Sequence, residues 1–213
     1  HNNVAFITCS NTHHPTGLLL NLDCNIIQSE RWLNQIQASE PLKKQLWQQI
    51  IRAKIHNQAT VLEWEHVPVA NMHHWAEQVN SGDLKNHEAR AAAYYWSNIF
   101  PEELNFKRGR EEAPPNNLLN YGYAILRAIT ARSLVASGLL PTLGIHHHNR
   151  YNAYCLADDI MEPYRPFVDR IVLEIVKNGE DFTELSQSIK TELLQIPTMD
   201  VYIEQKKSPL MIA

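Results

Sequence analysis

The sequence predicts a mainly α-helical fold, in which a multi-helical domain follows the remnant of a small β-rich N-terminal domain. Apolar side chains recur at helical spacing over most of the chain after Asn25. Only Val4–Cys9 and Thr16–Leu20 have the composition of strands. Eleven prolines and only seven glycines also suit a chain of helices with punctuated ends. We therefore expect residues 1–24 to be the tail of an incomplete β-rich domain plus a linker, and residues 25–213 to form the helical domain.

The predicted strands at the N-terminus need a pairing partner. Val4–Cys9 is rich in β-branched and aromatic residues, and Thr16–Leu20 is a second extended piece. Two strands alone leave a row of unpaired backbone groups and are marginal in water. We expect residues 1–20 to be the end of a β-rich domain that lies upstream in the natural protein. Pairing with the same segment of a second copy is the alternative.

Helices are predicted from their start and stop signals. Ser39 followed by Glu40 and Pro41 indicates a helix start, because proline is tolerated in the first turn. Gly138 is placed to end a helix in the C′ position. The predicted helices run from Pro41 to about Ala59, from after Pro68 through Val79, from Leu84 to about Phe100 behind an Asp83 cap, from Asn117 to Ser137 as the longest, from Leu156 to Val176 with a kink at Pro163 and Pro166, and from Phe182 to Ile196.

Composition limits the classes of function. A net charge of −4 and a pI near 6.3 do not indicate a nucleic-acid binder, unless basic residues are locally grouped or a second protein supplies positive charge. Three scattered cysteines fit neither a disulfide framework nor a zinc ribbon, so we expect a reducing cytoplasm. The apolar runs are too short to span a bilayer, and the first residues lack the pattern of a signal peptide, so no membrane partner is expected.

Glu88 is the first candidate for chemistry. On a helix it shares a face with Ala91, Ala92 and Tyr95. Small alanines around a carboxylate let another element approach closely. An exposed glutamate beside alanines is the more common explanation of such a pattern.

A second candidate region combines histidines with acids. His147 lies between two further histidines, and in an extended chain it points away from both of them, so one ligand and two spectators are expected. Asp159 and Glu162 share a helix face, where two carboxylates repel each other unless a cation lies between them. A solvated acidic turn near a helix N-terminus is the alternative, but Ile160 and Met161 between the acids indicate a half-buried segment.

These candidates together predict a hard divalent metal site. Carboxylates from two helices and an imidazole from a turn suit Mg²⁺ or Mn²⁺, and the imidazole favours Mn²⁺. Zinc would require more histidine or cysteine at closer spacing. An ion of this kind with open coordination positions supports attack on a phosphodiester.

Four spaced motifs resemble a known family. Glu88–Trp96, Asn117–Ala124, Gly144–Asn149 and Asp159–Pro166 occur in this order. Together they resemble the CRISPR-associated adaptation integrase and endonuclease family (Cas1), in particular its type II branch. The resemblance covers roughly residues 1–195. It implies that Glu88, His147 and Glu162 are the catalytic metal ligands, with Asp159 as a further candidate ligand that assists.

The resemblance also implies an activity and partners. Such proteins form homodimers, two of which flank a dimer of a small ferredoxin-like protein (Cas2). The complex captures a short DNA duplex and joins its 3′-hydroxyl ends to the CRISPR repeat by two transesterifications. The residues expected to contact DNA are Arg90, Tyr121, Arg127, Arg150 and Arg165, although aromatic residues at the spacing of Tyr121 are more often part of a core.

Two other functions are weighed against this one. A helical di-iron or di-manganese enzyme needs the Glu-x-x-His pattern twice, and the sequence has it once, at Glu63–His66. A catalytically silent DNA-binding scaffold could use Lys107, Arg108 and Arg110 as phosphate contacts. Two glutamates follow this basic run at once, so a solvated loop is the expected structure there.

Overall fold

A computed structural model describes residues 6–11, 15–19, 27–203 and 206–211, and within them the predicted mainly helical fold is confirmed. Eight helices are described: α1 (Gln28–Ile36), α2 (Glu40–Trp64), α3 (Ala70–Gln78), α4 (His87–Asn98), α5 (Asn116–Ala136), α6 (Cys155–Met161), α7 (Arg165–Lys177) and α8 (Gln187–Leu193). The strands are β1 (Phe6–Cys9), β2 (Pro15–Leu19), β3 (Asp200–Ile203) and β4 (Lys206–Pro209), and short 3-10 turns lie at Glu102–Leu104, Glu162–Tyr164 and Ile196–Thr198.

The hydrophobic core is arranged around α2. Its buried face includes Trp47, Ile51, Ile55 and Leu62, and the helix packs against α3, α4, α7 and the 3-10 turn at 162–164. Helices α5 and α7 pack closely at Gly122, where an added Cβ would clash with Val168. A helix buried along most of one side needs no high intrinsic propensity, because packing supplies its stability.

The helix ends follow the capping signals closely, with one shift. The Ser39 hydroxyl accepts from the backbone N–H of Leu42 at 3.4 Å, as expected at the start of α2. Gly138 has a φ of 73° after α5, which is the left-handed conformation of a C′ glycine. Asp83 caps from further away than predicted: its carboxylate accepts from the N–H groups of His87 and Glu88, and α4 begins at His87 and not at Leu84.

Other boundaries were predicted incorrectly. Helix α2 continues to Trp64, five residues past the expected end, and is longer than α5, which was expected to be the longest. The final helix covers only Gln187–Leu193, because the side chains of Asp181 and Ser186 bind nearby backbone N–H groups and keep the preceding segment out of the helix. Beyond it, the described residues form the 3-10 turn Ile196–Thr198 and then an antiparallel hairpin of β3 and β4, which was not predicted from the sequence.

The predicted N-terminal strands are present in the described residues. β1 pairs with β2 in antiparallel register, Phe6 opposite Leu19 and Thr8 opposite Gly17. β2 also contacts α5. Val4 and Leu20, the outer ends of the two predicted strands, lie outside the described residues. The expectation of an upstream β-rich domain stays a prediction.

The predicted kink between α6 and α7 positions the acidic segment. Pro163 and Pro166 each lack a backbone donor, and the helix breaks between them into the 3-10 turn Glu162–Tyr164. Glu162 therefore lies at the break and not within a regular helix. Asn57 of α2 donates to the carbonyl oxygen of Pro163 at 2.7 Å and ties the break to α2. In the part of the chain that the structure describes, no helix is long and apolar enough to cross a membrane.

Candidate metal centre

Glu88 and Glu162 come from distant parts of the chain to one point. Glu88 lies in the first turn of α4 and Glu162 at the break after α6. Nζ of Lys54, from the middle of α2, is 2.7 Å from Oε1 of Glu88 and 2.7 Å from Oε2 of Glu162. Because both oxygens contact one nitrogen, they can be no further apart than twice that distance. The sequence-predicted carboxylates therefore converge.

Glu162 is buried and ionised. Its side chain is 8% exposed, and Nε of Arg165 donates to Oε1 at 2.9 Å. Burial raises the pKa of this carboxyl group, but the charges of Arg165 and Lys54 outweigh burial and hold the pKa below its usual value. Oε2 is buried and accepts no hydrogen bond of regular geometry; its contact with Lys54 is an ion pair. This oxygen is therefore suited to a cation.

Lys54 is a buried ammonium group. Its side chain is only 13% exposed. Burial lowers its pKa, but the charges of Glu162 and Glu88 outweigh burial and raise the pKa above its usual value. Lys54 therefore stays protonated in this environment. Buried lysines are rare unless they are paired, and this one is paired with both candidate metal ligands.

Asp159 holds His147 and is not a free carboxylate. The two oxygens of Asp159 accept from the backbone N–H groups of Ile145, His146 and His147, at 2.6, 2.9 and 3.2 Å, and from Nδ1 of His147 at 2.5 Å. Asp159 is fully buried. The Asp159 hydrogen bond raises the pKa of His147, against the smaller opposing effect of burial. With Nδ1 directed at Asp159, Nε2 is the nitrogen free to bind a metal, as in carboxylate–histidine–metal arrangements.

Asp158 and Asp159 of α6 and Glu162 just after it avoid the expected repulsion between neighbouring carboxylates, because each has a different cationic or donor partner. Asp158 is paired with Nε of Arg127 at 2.6 Å and accepts from Asn152 at 2.7 Å. Asp159 binds the histidine turn, and Glu162 binds Lys54 and Arg165. No cation needs to lie between Asp159 and Glu162. The geometry favours a positioning role for Asp159, and its expected part as a metal ligand is not supported by these contacts.

A ring stack and a glycine also determine the conformation of the histidine turn. The His146 ring stacks on Trp47 of α2, with ring centroids 4.1 Å apart and an angle of 5° between the planes. A Cβ on Gly144 would clash with the His147 carbonyl oxygen and lie 2.9 Å from Cβ of Cys155. Only glycine therefore permits this tight turn. His146, expected as a spectator, supports the turn.

The donor set fits a hard divalent ion in part. Two carboxylates meet at one point, and an imidazole with its Nε2 available lies on the neighbouring turn. The charge of Glu162 adds to the effect of Asp159 in raising the pKa of His147. Across residues 6–11, 15–19, 27–203 and 206–211, however, no three histidine, cysteine or acidic side chains lie close enough to enclose an ion as they stand. Nζ of Lys54 occupies the point between the two carboxylates, and the His147 ring is exposed.

The residues predicted to contact DNA are divided between two environments. Arg127 and Arg165 form ion pairs with Asp158 and Glu162, and both line a cavity of about 280 Å³ beside the centre. Arg90 and Arg150 are exposed, and Arg150 lies over the ring of Tyr151. Tyr121 is half-buried at a separate apolar depression. The structure therefore brings Arg127 and Arg165 to the centre and leaves the other three away from this cavity.

The basic run at 107–110 is more ordered than the expected solvated loop. Lys107 and Arg110 are exposed beside Glu112 and Glu111. Arg108 instead donates to the side-chain oxygens of Asn116 at 2.7 Å and Asn120 at 3.1 Å. The buried Asn116 amide in turn donates to the carbonyl oxygens of Lys107 and Ala113. This network holds the loop over α5, and Arg108 and Arg110 line the same cavity as Arg127 and Arg165.

Three residues that support the centre, Lys54, Trp47 and Asn57, were not predicted from the sequence. All three lie on α2, separated by seven and then three residues, so they share one face of the helix. The available signal was Lys54 itself, which stands four residues after Ile50 and three after Ile51 on the apolar stripe. A lysine on a buried stripe requires a partner.

Comparison with known proteins gives the family. The sequence model described as CRISPR associated protein Cas1 matches residues 1–195.

The chain belongs to the Cas1 family.

Individual Cas1 relatives match over large parts of the chain. A CRISPR-associated endonuclease Cas1 from Neisseria meningitidis is 39% identical over 204 residues, which is 95% of this chain and 66% of that protein. A relative of the same description from Saccharolobus solfataricus is 26% identical over 83% of this chain and 55% of its own length. The chain thus spans between about half and two thirds of these relatives.

Solved structures show the same fold at low sequence identity. A casposase bound to an integration product matches 99% of this chain and 68% of its own length, with a TM-score of 0.76 and 19% identity. A Cas6-RT-Cas1–Cas2 complex matches 98% of this chain and 27% of its own, with a TM-score of 0.72 and 23% identity. A Cas1 protein from Thermotoga maritima gives a TM-score of 0.65 at 19% identity, over 98% of this chain and 73% of its own.

Proposed function

We propose that this chain is the catalytic part of a CRISPR adaptation integrase of the type II branch. It is a divalent-metal-dependent DNA endonuclease that joins the 3′-hydroxyl ends of a short spacer DNA to the CRISPR repeat by transesterification. The observation that carries the proposal is the convergence of Glu88 and Glu162 on Lys54, next to the His147–Asp159 pair. All of these residues lie within the segment matched by the Cas1 family.

Glu88, Glu162 and Nε2 of His147 would hold Mg²⁺ or Mn²⁺. Carboxylate oxygens suit both ions, and the imidazole favours Mn²⁺. When bound, the ion supplies Lewis-acid polarisation of a phosphodiester oxygen and stabilises the charge that develops as the bond to the attacking hydroxyl forms. Zinc is disfavoured because the set contains a single imidazole and no thiolate.

The surrounding residues orient these groups and attract the substrate. Asp159 orients the His147 ring through Nδ1, so that in the neutral ring the proton is on Nδ1 and the lone pair is on Nε2. The cavity beside Glu162 is lined by Arg108, Arg110, Arg127 and Arg165. Guanidinium groups bind phosphate through paired hydrogen bonds, so this wall can hold the DNA backbone next to the carboxylates.

The proposed partners are double-stranded DNA, a second copy of this chain and the small ferredoxin-like protein Cas2. The names of structurally similar assemblies support this choice: two are Cas6-RT-Cas1–Cas2 complexes, and the casposase is bound to an integration product. The chain has a net charge of −4, so a partner that adds positive charge would strengthen DNA binding.

The alternative of a di-iron or di-manganese enzyme receives no support from the geometry. Glu63 is exposed and lies 3.0 Å from Nε2 of His73, and His66 is in a turn with a φ of 59° after the end of α2. Glu63 is thus paired with a histidine that lies outside the Glu-x-x-His pattern. The silent scaffold remains a distinct outcome of the experiment below.

The test is a strand-joining assay with the three proposed ligands changed one at a time. We expect Glu88→Ala, His147→Ala and Glu162→Ala each to lower joining in Mn²⁺ by more than about 100-fold. Double variants should be little worse than single ones, because the ligands act as a unit. Duplex binding should survive, since removing negative charge does not weaken attraction to phosphates.

Matched controls are available beside the ligands. His148→Ala changes an exposed histidine on the same turn, and Glu103→Ala changes an exposed carboxylate away from the centre. Both should retain wild-type joining. Full joining by Glu88→Ala would rule out the ligand assignment, and metal-independent DNA binding without any joining by the wild type would favour the scaffold.

A further inference from the structure

Lys54 occupies the point at which the two carboxylates meet. Its Nζ is 2.7 Å from an oxygen of Glu88 and 2.7 Å from an oxygen of Glu162. A metal ion bound by both of these carboxylates would need the same volume. Magnesium–oxygen distances of about 2.0–2.1 Å are shorter than these ion-pair contacts, so an ion of this kind and the ammonium cannot share the gap.

The charge balance also opposes the presence of a divalent ion and the Lys54 ammonium in the same gap. Lys54 and Arg165 balance Glu88 and Glu162, and the four groups together are neutral. Adding a divalent ion leaves this cluster with two positive charges in a setting where Glu162 is 8% exposed and Lys54 13% exposed. Like charges a few ångströms apart in such a place repel strongly. The excess positive charge is removed when the ammonium group leaves the gap or when an anion binds.

The helix allows Lys54 to move without unfolding the site. The backbone of Lys54 is within the long, regular α2, and neighbouring contacts from the same face hold the helix in place: Trp47 stacks on His146, and Asn57 binds Pro163. Only the flexible side chain of Lys54 has to change rotamer. Glu162 keeps Arg165 as a partner when Lys54 departs.

We propose that Lys54 competes with the divalent ion for Glu88 and Glu162, and that the ion displaces its ammonium group from between them. This inference rests on the proposed metal site. Lys54 is thus a positioning residue: it holds the two carboxylates together at one point until the ion takes its place.

The test measures Mn²⁺ affinity by electron paramagnetic resonance titration of the whole chain, without DNA. We expect Lys54→Gln, which removes the charge but keeps an N–H donor, to bind Mn²⁺ at least about tenfold more tightly than the wild type, because the competing charge is gone. The temperature of unfolding should fall in the variant without Mn²⁺ and should rise further on Mn²⁺ addition than in the wild type. If Lys54 had only a structural role, Lys54→Gln would lower both the stability of the chain and its affinity for Mn²⁺.

Controls separate this inference from the proposed function. Lys43→Gln, on the same helix but paired at the surface with Glu40, should leave Mn²⁺ affinity unchanged. Lys54→Met is the second variant if Lys54→Gln does not fold. If Glu88→Gln weakens Mn²⁺ binding while both Lys54 variants leave it unchanged or weaker, competition is wrong and the metal site stands. If Glu88→Gln has no effect, the metal site and the Lys54 inference both fail.

Discussion

At the scale of single residues, Asp169 shows how burial controls charge next to the centre. Its carboxylate accepts from the hydroxyl of Tyr95 at 2.9 Å and from that of Tyr123. Arg165, which binds Glu162, lies over the Tyr123 ring with its guanidinium carbon 4.6 Å from the ring centroid. Asp169 therefore supports the wall from which Arg165 reaches the candidate ligands.

The pKa of Asp169 predicts a pH-dependent stability. Burial raises it from 3.8 to about 7, although the hydroxyl groups of Tyr123 and Tyr95 and the charges of Arg165 and Arg108 act in the opposite direction. The folded state thus binds the Asp169 proton more tightly than the unfolded state does. The stabilisation that comes from this protonation is full below pH 3.8 and is lost as the pH rises to about 7. Between pH 5 and pH 8 the loss is roughly 2–3 kcal/mol.

Urea unfolding of the wild type and of Asp169→Asn at both pH values checks this prediction. Asparagine does not titrate, so the free energy of unfolding of the variant should gain on that of the wild type by the stated amount between pH 5 and pH 8. Parallel pH profiles for the two proteins would show that Asp169 does not titrate in this range.

The candidate ligands could be predicted from sequence more readily than their supports. Glu88 and Glu162 were found from residue type, spacing and family resemblance, and the structure brings them together. Lys54 and Trp47 were missed because they are separated from the ligands by tens of residues, and single-sequence periodicity assigns them only to the buried face of a helix. The role of Asp159 depends on which atoms it contacts, and spacing alone could not show that.

At the scale of elements, the turn that carries His147 depends on α6 and α2 together. Asp159 of α6 binds three backbone N–H groups of the turn, and Trp47 of α2 stacks on His146. Gly144 begins the turn at a position where a side chain would meet backbone. The three contacts fix His147 relative to Glu162.

Gly144→Ala should therefore displace the turn. Because the clash is with the His147 carbonyl oxygen and not with a flexible side chain, we expect a loss of roughly 1–3 kcal/mol in the free energy of unfolding. Strand joining should fall further than the loss of folded protein explains. Gly109→Ala is the matched control, since its added Cβ meets only the side chain of Glu112, which can move. Equal stability and joining for Gly144→Ala and Gly109→Ala would contradict this account of the turn.

Helix interiors and proline breaks followed from the sequence, whereas the C-terminal elements did not. Pro163 and Pro166 lack donors wherever they occur, so the break between α6 and α7 was predictable. The hairpin β3–β4 is made of two four-residue strands, which are too short for a clear alternation of apolar and polar residues. The pairing of these strands depends on the folded structure and not on a local sequence pattern.

At the scale of the whole molecule, a net-acidic chain concentrates positive charge in one place. Four arginines line the cavity beside Glu162, while the overall charge is −4. Composition alone therefore argued against DNA binding, and only the fold shows that basic residues are grouped near the centre. Two of the five residues expected to contact DNA, Arg127 and Arg165, belong to this group.

The central claim is that Glu88, His147 and Glu162 bind one divalent ion. Anomalous diffraction at the manganese edge, from crystals of the chain grown with Mn²⁺, tests it most directly. We expect a single strong peak at bonding distance from a Glu88 oxygen, Oε2 of Glu162 and Nε2 of His147, with Nζ of Lys54 moved out of the gap. A peak elsewhere, or none while Lys54 keeps both ion pairs at saturating Mn²⁺, would contradict the claim.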